Sequence, residues 1–173
     1  GTPVVFATTG YTPEESKIIQ KTSEKVAQIT STHMSVGVNL LIELSKKAVA
    51  ILENFDVEII EKHHNKKLDA PSGTALMLAD GIKSVRPDLE YVYDRTGRRA
   101  ARSANELGIS SVRGGTIVGE HDVIFAGTDE VVTLSHNALS REIFAHGALC
   151  AAKFLVGKAP GLYHMPDMLA LGD

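Results

Sequence analysis

The chain has 173 residues, of which 43% are hydrophobic and 23% are charged, and its formal net charge at pH 7 is −3. This composition is typical of a soluble globular protein, and the mixing of acidic and basic residues indicates no general attraction to nucleic acid or to membranes. The chain also lacks the roughly 20 consecutive apolar residues of a membrane-spanning helix and the basic start of a signal peptide, so we expect a cytoplasmic protein.

In the first part of the chain, strand and helix patterns alternate. Residues 4–7 form a short apolar run that predicts a strand, and Pro13 with the acidic residues after it predicts a helix start. Apolar residues recur at helical spacing from 38 to 52 and predict a long helix that packs one face on a core. The β-branched residues of segment 56–61 predict the strand that follows this helix.

The later part of the chain has a different order. Cap-type residues at 69–74 precede a third predicted helix. The arginine-rich segment 93–106 has little apolar periodicity and predicts a surface loop, with a lid over an anionic substrate as the alternative. Three strands, antiparallel or mixed, and a last helix are predicted near 109–113, 122–126, 130–135 and 141–156. Because strands cluster only late, the sequence predicts a partial α/β unit attached to an α+β domain.

Two adjacent histidines mark the end of the predicted strand at 56–61. His63 and His64 precede Lys66 and Lys67, so several proton donors stand within one short segment. Along a continuing strand the two imidazoles would point to opposite faces of the sheet, and only one could serve a given pocket. Taken alone, the pattern favours solvated or hydrogen-bonded histidines, with a catalytic pair as the alternative.

The turn Ser72-Gly73-Thr74 stands at the start of the third predicted helix. Exposed backbone amides, two hydroxyls and the helix dipole make such a turn a receptor for a carboxylate or a phosphate, although, taken alone, it is more typical of a simple helix cap. The cationic segment 63–67 precedes this turn closely in the chain. Together they favour a site that binds an anionic substrate at one end and protonates it at the other.

Further histidines raise the question of a metal site. Glu120, His121 and His136 could join His63 and His64, but no HExxH pattern or paired cysteines support metal ligation. His121 and His136 are more typical of hydrogen-bonding residues at strand ends. We therefore predict that no metal is bound, and a metal-dependent hydrolase is the weaker hypothesis.

The segment Glu-Lys-His-His-Asn-Lys-Lys-Leu-Asp-Ala-Pro-Ser-Gly-Thr-Ala, residues 61–75, resembles the signature of the 4-hydroxy-tetrahydrodipicolinate reductases, also called dihydrodipicolinate reductases. Four more segments are similar to that family in order and spacing, namely 7–11, 35–39, 112–121 and 135–148. Two places differ from the family pattern. Its Gly-Thr-Thr loop is Ala7-Thr8-Thr9 in this chain, and its asparagine-aromatic pair is His33-Met34.

The resemblance implies an activity and a set of site residues. The family passes a hydride from NADH or NADPH to a cyclic dicarboxylate imine, giving tetrahydrodipicolinate for the synthesis of lysine and diaminopimelate. The general acid then falls on His63, with Lys67 as a second proton donor. The residues implied to contact the substrate carboxylates are His64, Ser72, Gly73 and Thr74. The residues implied at the nicotinamide are Ala7, Thr8, Thr9, Ser31, Thr32, His33 and Met34.

The resemblance also implies a domain organisation. Residues 1–34 and 142–173 correspond to a remnant of a Rossmann-type nucleotide-binding domain, and residues 35–141 to an α+β domain that binds substrate. In the family the mixed open sheet of the second domain pairs subunits into a homotetramer.

No glycine-rich GxxGxxG fingerprint follows a strand in the chain. We therefore expect a truncated reductase whose own activity is in question. The alternative is a non-catalytic module that binds dicarboxylates and keeps the family fold.

Overall fold

The chain passes between two structural units twice, after Leu40 and after Ser140. The computed structural model describes residues 1–8 and 10–169. In chain order, the elements of this described part are β1 (Val4–Phe6), α1 (Pro13–Thr22), β2 (Ala27–Thr30), α2 (Val36–Ile51), β3 (Asp56–His63), α3 (Gly73–Val85), β4 (Glu90–Val92), β5 (Glu106–Arg113), β6 (Gly119–Ala126), β7 (Val131–Ala138), α4 (Glu142–Leu155), β8 (Gly161–Tyr163) and α5 (Met165–Leu169).

The first unit comprises Gly1–Leu40 and the described residues from Arg141 onward, and it contains a parallel three-stranded sheet. β2 lies at its centre and pairs with β1 on one side and β8 on the other. Helix α1 begins at Pro13 because Thr12 and Glu15 form a capping box, in which each side chain accepts a hydrogen bond from the other residue's backbone N–H. The buried apolar core of this unit comprises Ala27, Ile29, Met34, Ala151, Leu155 and Met165.

The second unit, Leu41–Ser140, contains a five-stranded sheet in the order β4-β5-β3-β6-β7. β4, β5 and β3 are parallel, whereas β6 and β7 are antiparallel to their neighbours, so the predicted mixed sheet is confirmed. Along β3 every second side chain is buried, and these are Val57, Ile59, Glu61 and His63. The side chains of Glu61 and His63 therefore lie on the same face of the sheet as the apolar core residues of the strand.

Four short elements were not predicted from the sequence. β2, β4, β8 and α5 have three to five residues each, which is too short for periodicity to indicate them. β5 begins at Glu106, three residues before its predicted start. The reason is that Glu106 is a buried charged residue, and apolar alternation cannot reveal it as part of a strand.

Most residues of the loop before β5 are exposed, so the predicted surface loop is confirmed, and three of its arginines, Arg95, Arg98 and Arg102, are bound to carboxylates of the second unit. Arg95 donates to Glu58 at 2.6 Å, and Arg98 donates to Glu106 at 2.7 Å. Arg102 pairs with Asp56. These ion pairs hold the loop against β3 and β5.

None of the helices in the described part of the chain has the length and apolar character needed to cross a membrane.

Candidate active site

The segment that contains the candidate catalytic residues begins at the end of β3. His63 is the last residue of the strand and is 8% exposed, while His64 lies in the turn that follows and is half-buried. Because the strand stops at His63, the alternation that would send the two imidazoles to opposite faces no longer applies. Lys62, one residue earlier, binds Glu120 and Asp122, so the neighbouring cation is held in ion pairs of its own.

Glu61 links the two groups that the sequence singles out. Its carboxylate is fully buried, and Oε2 lies 2.6 Å from Nδ1 of His63. The other oxygen, Oε1, accepts a hydrogen bond of 3.1 Å from the backbone N–H of Ser72. One carboxylate thus contacts both the candidate general acid and the first residue of the candidate anion-binding turn.

Arg113, at the end of β5, clamps the same carboxylate. Its two terminal nitrogens donate to Oε2 and Oε1 of Glu61, each at 2.7 Å, and one of them also donates to the carbonyl oxygen of Asp69 at 2.7 Å. A bidentate pair of this kind is the strongest arrangement available to a carboxylate and a guanidinium. It supplies the counter-charge that a fully buried glutamate requires.

The hydrogen bonds around Glu61 keep it ionised. Burial alone would raise the pKa of its carboxyl, but this effect is outweighed and the pKa falls from 4.5 to about 2. The groups that donate to it are Arg113, Ser111, His63 and Ser72. At neutral pH the site therefore contains a fixed negative charge that is already paired.

Ser72 acts as the N-cap of α3. Its hydroxyl oxygen accepts from the N–H of Ala75 at 3.1 Å and lies 3.0 Å from Nε2 of His121, and the residue is only 2% exposed. The simple-cap interpretation is therefore confirmed for this side chain. The outward-facing part of the turn is provided by Gly73, which is exposed, and Thr74, which is half-buried.

Lys67 lies in the loop between β3 and α3. Its ammonium group is 2.8 Å from the carboxylate of Asp69, and the hydrogen bond lowers the pKa of Asp69. The loop is joined to the turn between β5 and β6, because Asn65 donates to the carbonyl oxygen of Gly115 at 3.2 Å. The loop that carries Lys67 is thus held by the hydrogen bond of Asn65 and by the ion pair between Lys67 and Asp69.

His121 and His136 extend the row of polar residues across the sheet. In the strand register, His121 lies opposite Glu61 on one side and His136 on the other. The rings of His63 and His121 meet edge to face with centroids 5.2 Å apart. Nδ1 of His136 is buried without a hydrogen-bond partner among the described residues, and burial lowers the pKa of this imidazole. His121 lies inside β6 and His136 inside β7, so neither is at a strand end as predicted.

Within the described ranges, no group of three or more His, Cys, Asp or Glu side chains is arranged to hold a metal ion.

The first unit carries a separate cavity of about 340 Å³. Its lining comprises Thr30, Ser31, Thr32, Asn39, His164, Met165 and Pro166. Ser31 follows β2 and His164 follows β8, so the cavity opens at the carboxyl ends of parallel strands. Ligands of parallel α/β sheets bind at such ends.

The residues proposed for the nicotinamide have different environments. Ser31 and Thr32 line the cavity, while Ala7 and Thr8 are exposed residues that follow the neighbouring strand β1. Thr9 lies outside the described residues. The ring of His33 packs edge to face on Phe144 at 5.1 Å.

The side chain of Met34 is only 4% exposed and belongs to the core of the first unit. Its side chain is thus withdrawn from the surface on which a cofactor could bind.

Among the polar residues of these two places, sequence reasoning missed Glu61 and Arg113 in the second unit and Thr30, Asn39 and His164 in the first. A signal existed for Glu61, because it replaces an apolar residue in the buried alternation of β3, and a buried carboxylate requires a partner. No signal of that kind indicates Arg113.

Comparisons with known proteins agree on one family. The family model "Dihydrodipicolinate reductase, C-terminus" matches residues 37–169. A 4-hydroxy-tetrahydrodipicolinate reductase of Caldanaerobacter subterraneus subsp. tengcongensis is 58% identical over 171 residues, which are 98% of this chain and 68% of that protein. The reductase of Clostridium tetani is 52% identical over 172 residues, with 96% and 66% covered. The chain spans about two thirds of the length of these curated relatives.

A solved structure agrees with this result. The dipicolinate-bound dihydrodipicolinate reductase from Paenisporosarcina sp. TG-14 is similar with a TM-score of 0.77 at 30% sequence identity. The likeness covers 94% of this chain and 62% of that chain.

Proposed function

The chain belongs to the 4-hydroxy-tetrahydrodipicolinate reductase family, and we propose that its second unit binds and protonates the cyclic dicarboxylate substrate of that reaction. The reaction takes a hydride from NADH or NADPH and a proton from the enzyme, and water leaves the ring as tetrahydrodipicolinate forms. The observation that carries the proposal is the Glu61 carboxylate, which contacts both His63 and the amide of Ser72. The carboxylate of Glu61 therefore holds both the candidate proton donor, His63, and the first residue of the candidate anion receptor, Ser72.

The substrate carboxylates are assigned to two sets of donors. At the N-terminus of α3, the backbone N–H groups of Gly73 and Thr74 and the hydroxyl of Thr74 form one receptor, supported by the helix dipole. His64 and Lys67 provide positive charge or hydrogen-bond donors in the neighbouring loop. Ser72 contributes indirectly, because its own amide and hydroxyl are already bonded and it acts as the cap that shapes the turn.

His63 is proposed as the general acid and Lys67 as a second proton donor. An imidazole can deliver a proton near neutral pH, and in this position it is shielded from bulk water at 8% exposure. Lys67 is paired with Asp69 at 2.8 Å, which keeps its ammonium group close to the turn. A cation near the substrate would also stabilise negative charge that develops during the reaction.

The first unit is proposed as part of a Rossmann-type domain that binds the nicotinamide end of NADH or NADPH. The cavity at the carboxyl ends of β2 and β8 fits this role, because hydroxyl groups of Thr30, Ser31 and Thr32 line it. Ala7 and Thr8 follow β1 at the same edge of the sheet. When bound, the nicotinamide supplies the hydride. The buried side chain of Met34 is left out of this assignment.

We further propose that the protein is a cytoplasmic homotetramer. The five-stranded sheet supports an assembly role, because β7 is an edge strand of this sheet in the described part of the chain and its first residue, Val131, is 62% exposed. An exposed edge strand can pair with another chain, and covering by a partner is one way in which such an edge is protected.

The proposal is tested by titrating the chain with dipicolinate in a calorimeter. We expect binding by the unaltered chain and at least a tenfold weaker affinity for Lys67→Ala, a change that corresponds to about 1.4 kcal/mol. The matched control is Lys62→Ala, which removes the same charge from the ion pairs with Glu120 and Asp122. Equal losses in both variants, or no binding by the unaltered chain, would refute the assignment of this loop.

A parallel titration with NADH and NADPH tests the first unit. Binding of either nucleotide that weakens in Ser31→Val supports the cavity as its site. Binding of dipicolinate without either nucleotide would instead favour a module that only binds dicarboxylates.

A further inference from the structure

We infer that Glu61 is a positioning residue that fixes His63 in a single tautomer, with the proton on Nδ1, and thereby makes Nε2 the atom that exchanges protons with the substrate. The inference rests on the proposed role of His63 as general acid. It adds a residue pair, Glu61 and Arg113, and it specifies the atom of His63 at which the reaction takes its proton.

The hydrogen bonds around Glu61 require its carboxyl group to be ionised. Arg113 donates to both carboxylate oxygens at 2.7 Å, and the backbone of Ser72 donates to one of them at 3.1 Å. Each of these groups can only donate. A carboxylic acid proton would oppose them, so Glu61 is a carboxylate that can only accept.

The ionised Glu61 determines where the imidazole of His63 carries its proton. Nδ1 of His63 lies 2.6 Å from Oε2 of Glu61, a distance at which one of the two atoms must carry a proton. Because Glu61 accepts only, the proton is on Nδ1. The neutral ring therefore has its free electron pair on Nε2, and a second proton taken up by His63 is held at Nε2.

The surroundings of Nε2 agree with this assignment. A Cβ atom at position 119 would lie 3.0 Å from Nε2 and 3.4 Å from Cδ2 of His63, but the residue is glycine. The space beside Nε2 is therefore kept open by the absence of a side chain.

Glu61 also links His63 to the anion receptor at the start of α3. Oε1 of Glu61 holds the amide of Ser72, whose hydroxyl caps α3. Any movement of Glu61 would therefore displace both His63 and the start of α3. Arg113 prevents this movement, because it is bonded to Glu61 and also to the carbonyl oxygen of Asp69.

The substitution Glu61→Gln has a specific consequence for the tautomer. Oε1 meets two groups that can only donate, Nη2 of Arg113 and the amide of Ser72, whereas Oε2 meets one such group, Nη1 of Arg113, and the imidazole of His63, which can also accept. The glutamine carbonyl oxygen should therefore take the place of Oε1. The glutamine NH2 group then faces Nδ1 of His63. To accept from it, Nδ1 must lose its proton, and the neutral ring is forced into the tautomer with the proton on Nε2.

The test is NMR spectroscopy of the whole chain labelled with 15N in histidine. The couplings between ring nitrogens and ring protons identify which nitrogen of His63 is protonated. In the unaltered chain we expect a protonated Nδ1 and an unprotonated Nε2 at a pH where the ring is neutral. In Glu61→Gln we expect the reverse, with an unprotonated Nδ1 and a protonated Nε2. Glu120→Gln is the matched control, because Glu120 pairs with Lys62, and its spectrum of His63 should remain unchanged.

Two results would overturn the inference. One is an Nε2–H tautomer in the unaltered chain, which needs no variant to fold. The other is an unchanged tautomer in a folded Glu61→Gln protein. Dipicolinate titration of the same samples separates this failure from that of the proposed function. Binding with the wrong tautomer refutes only the inference, whereas the predicted tautomers without dipicolinate binding refute only the assigned substrate.

Discussion

A Cβ atom on Gly147 would overlap the carbonyl oxygen of Met34, because α4 packs on the backbone of the segment before α2. Both residues belong to the first unit, and the neighbouring side chain of Ala151 is part of its buried core. The glycine therefore allows two backbones to approach more closely than any other residue would permit.

The substitution Gly147→Ala is expected to destabilise the first unit by about 1–3 kcal/mol, which is the usual cost of inserting a methyl group where the neighbour is rigid. Urea unfolding followed by circular dichroism measures the change. Gly97→Ala is the control, since a Cβ there meets no atom within 4 Å. Similar losses for the two variants would show that the contact between Gly147 and Met34 is looser than the structure indicates.

Because the pKa of Glu61 is lowered in the folded state, the free energy of unfolding depends on pH in the acid range. The folded pKa of about 2 lies below the ordinary value of 4.5, so the ionised group stabilises the folded state above pH 4.5. This stabilisation is lost as the pH falls from 4.5 towards 2, because the unfolded state then binds a proton that the folded state does not.

The expected loss is up to about 3 kcal/mol, since each pKa unit corresponds to about 1.4 kcal/mol. About 2 kcal/mol of this loss is expected by pH 3, which lies about 1.5 units below the ordinary pKa, and urea unfolding between pH 7 and pH 3 measures this part. In Glu61→Gln the free energy of unfolding should be lower at neutral pH, because Arg113 loses the negative charge and one of its two acceptor oxygens, and it should fall less steeply with acid. An equally steep fall in the variant would assign the pH dependence to other carboxylates.

Much of the fold could be predicted because its longer elements carry clear patterns. The helical spacing from 38 to 52 is recovered as α2 (Val36–Ile51), and the β-branched segment at 56–61 as β3 (Asp56–His63). The strand order of the second unit could not be predicted. β3 pairs with β5 and β6, both of which follow it at a distance in the chain, and local periodicity does not indicate a partner.

The candidate site also contains residues that could be predicted from the sequence and residues that could not. His63, Lys67 and the turn at 72–74 could be named from the sequence, because they stand in one short segment with recognisable chemistry. Arg113 could not be named, since it contacts Glu61 from 52 residues away and resembles any other arginine in the sequence. Its role follows only from the parallel register that places it beside His63.

His136 gives the protein a second acid-sensitive group. Burial lowers the pKa of its imidazole below the ordinary value of 6.5, so the ring stays neutral in the folded state while the unfolded state takes up a proton. Stability is therefore expected to fall as the pH drops from 6.5 to the depressed folded pKa. The substitution His136→Phe should remove this part of the dependence, and urea unfolding at pH 7.5, 6.5 and 5.5 would reveal the difference. The hypothesis fails if the slope over this range is the same in both proteins.

The last prediction concerns the space around Nε2 of His63. In Gly119→Ala the new methyl group would lie 3.0 Å from this nitrogen, so the ring must turn away from its present orientation by a small angle. An off-rotamer ring costs about 0.5–1.5 kcal/mol, and we expect dipicolinate affinity to fall up to about tenfold. The control is Gly114→Ala, where a Cβ meets no atom within 4 Å. Calorimetry gives the affinity, and the 15N resonance of Nε2 reports the ring directly. A shifted resonance with unchanged affinity would mean that His63 lies away from the bound dicarboxylate, whereas an unchanged resonance would mean that the ring does not feel position 119.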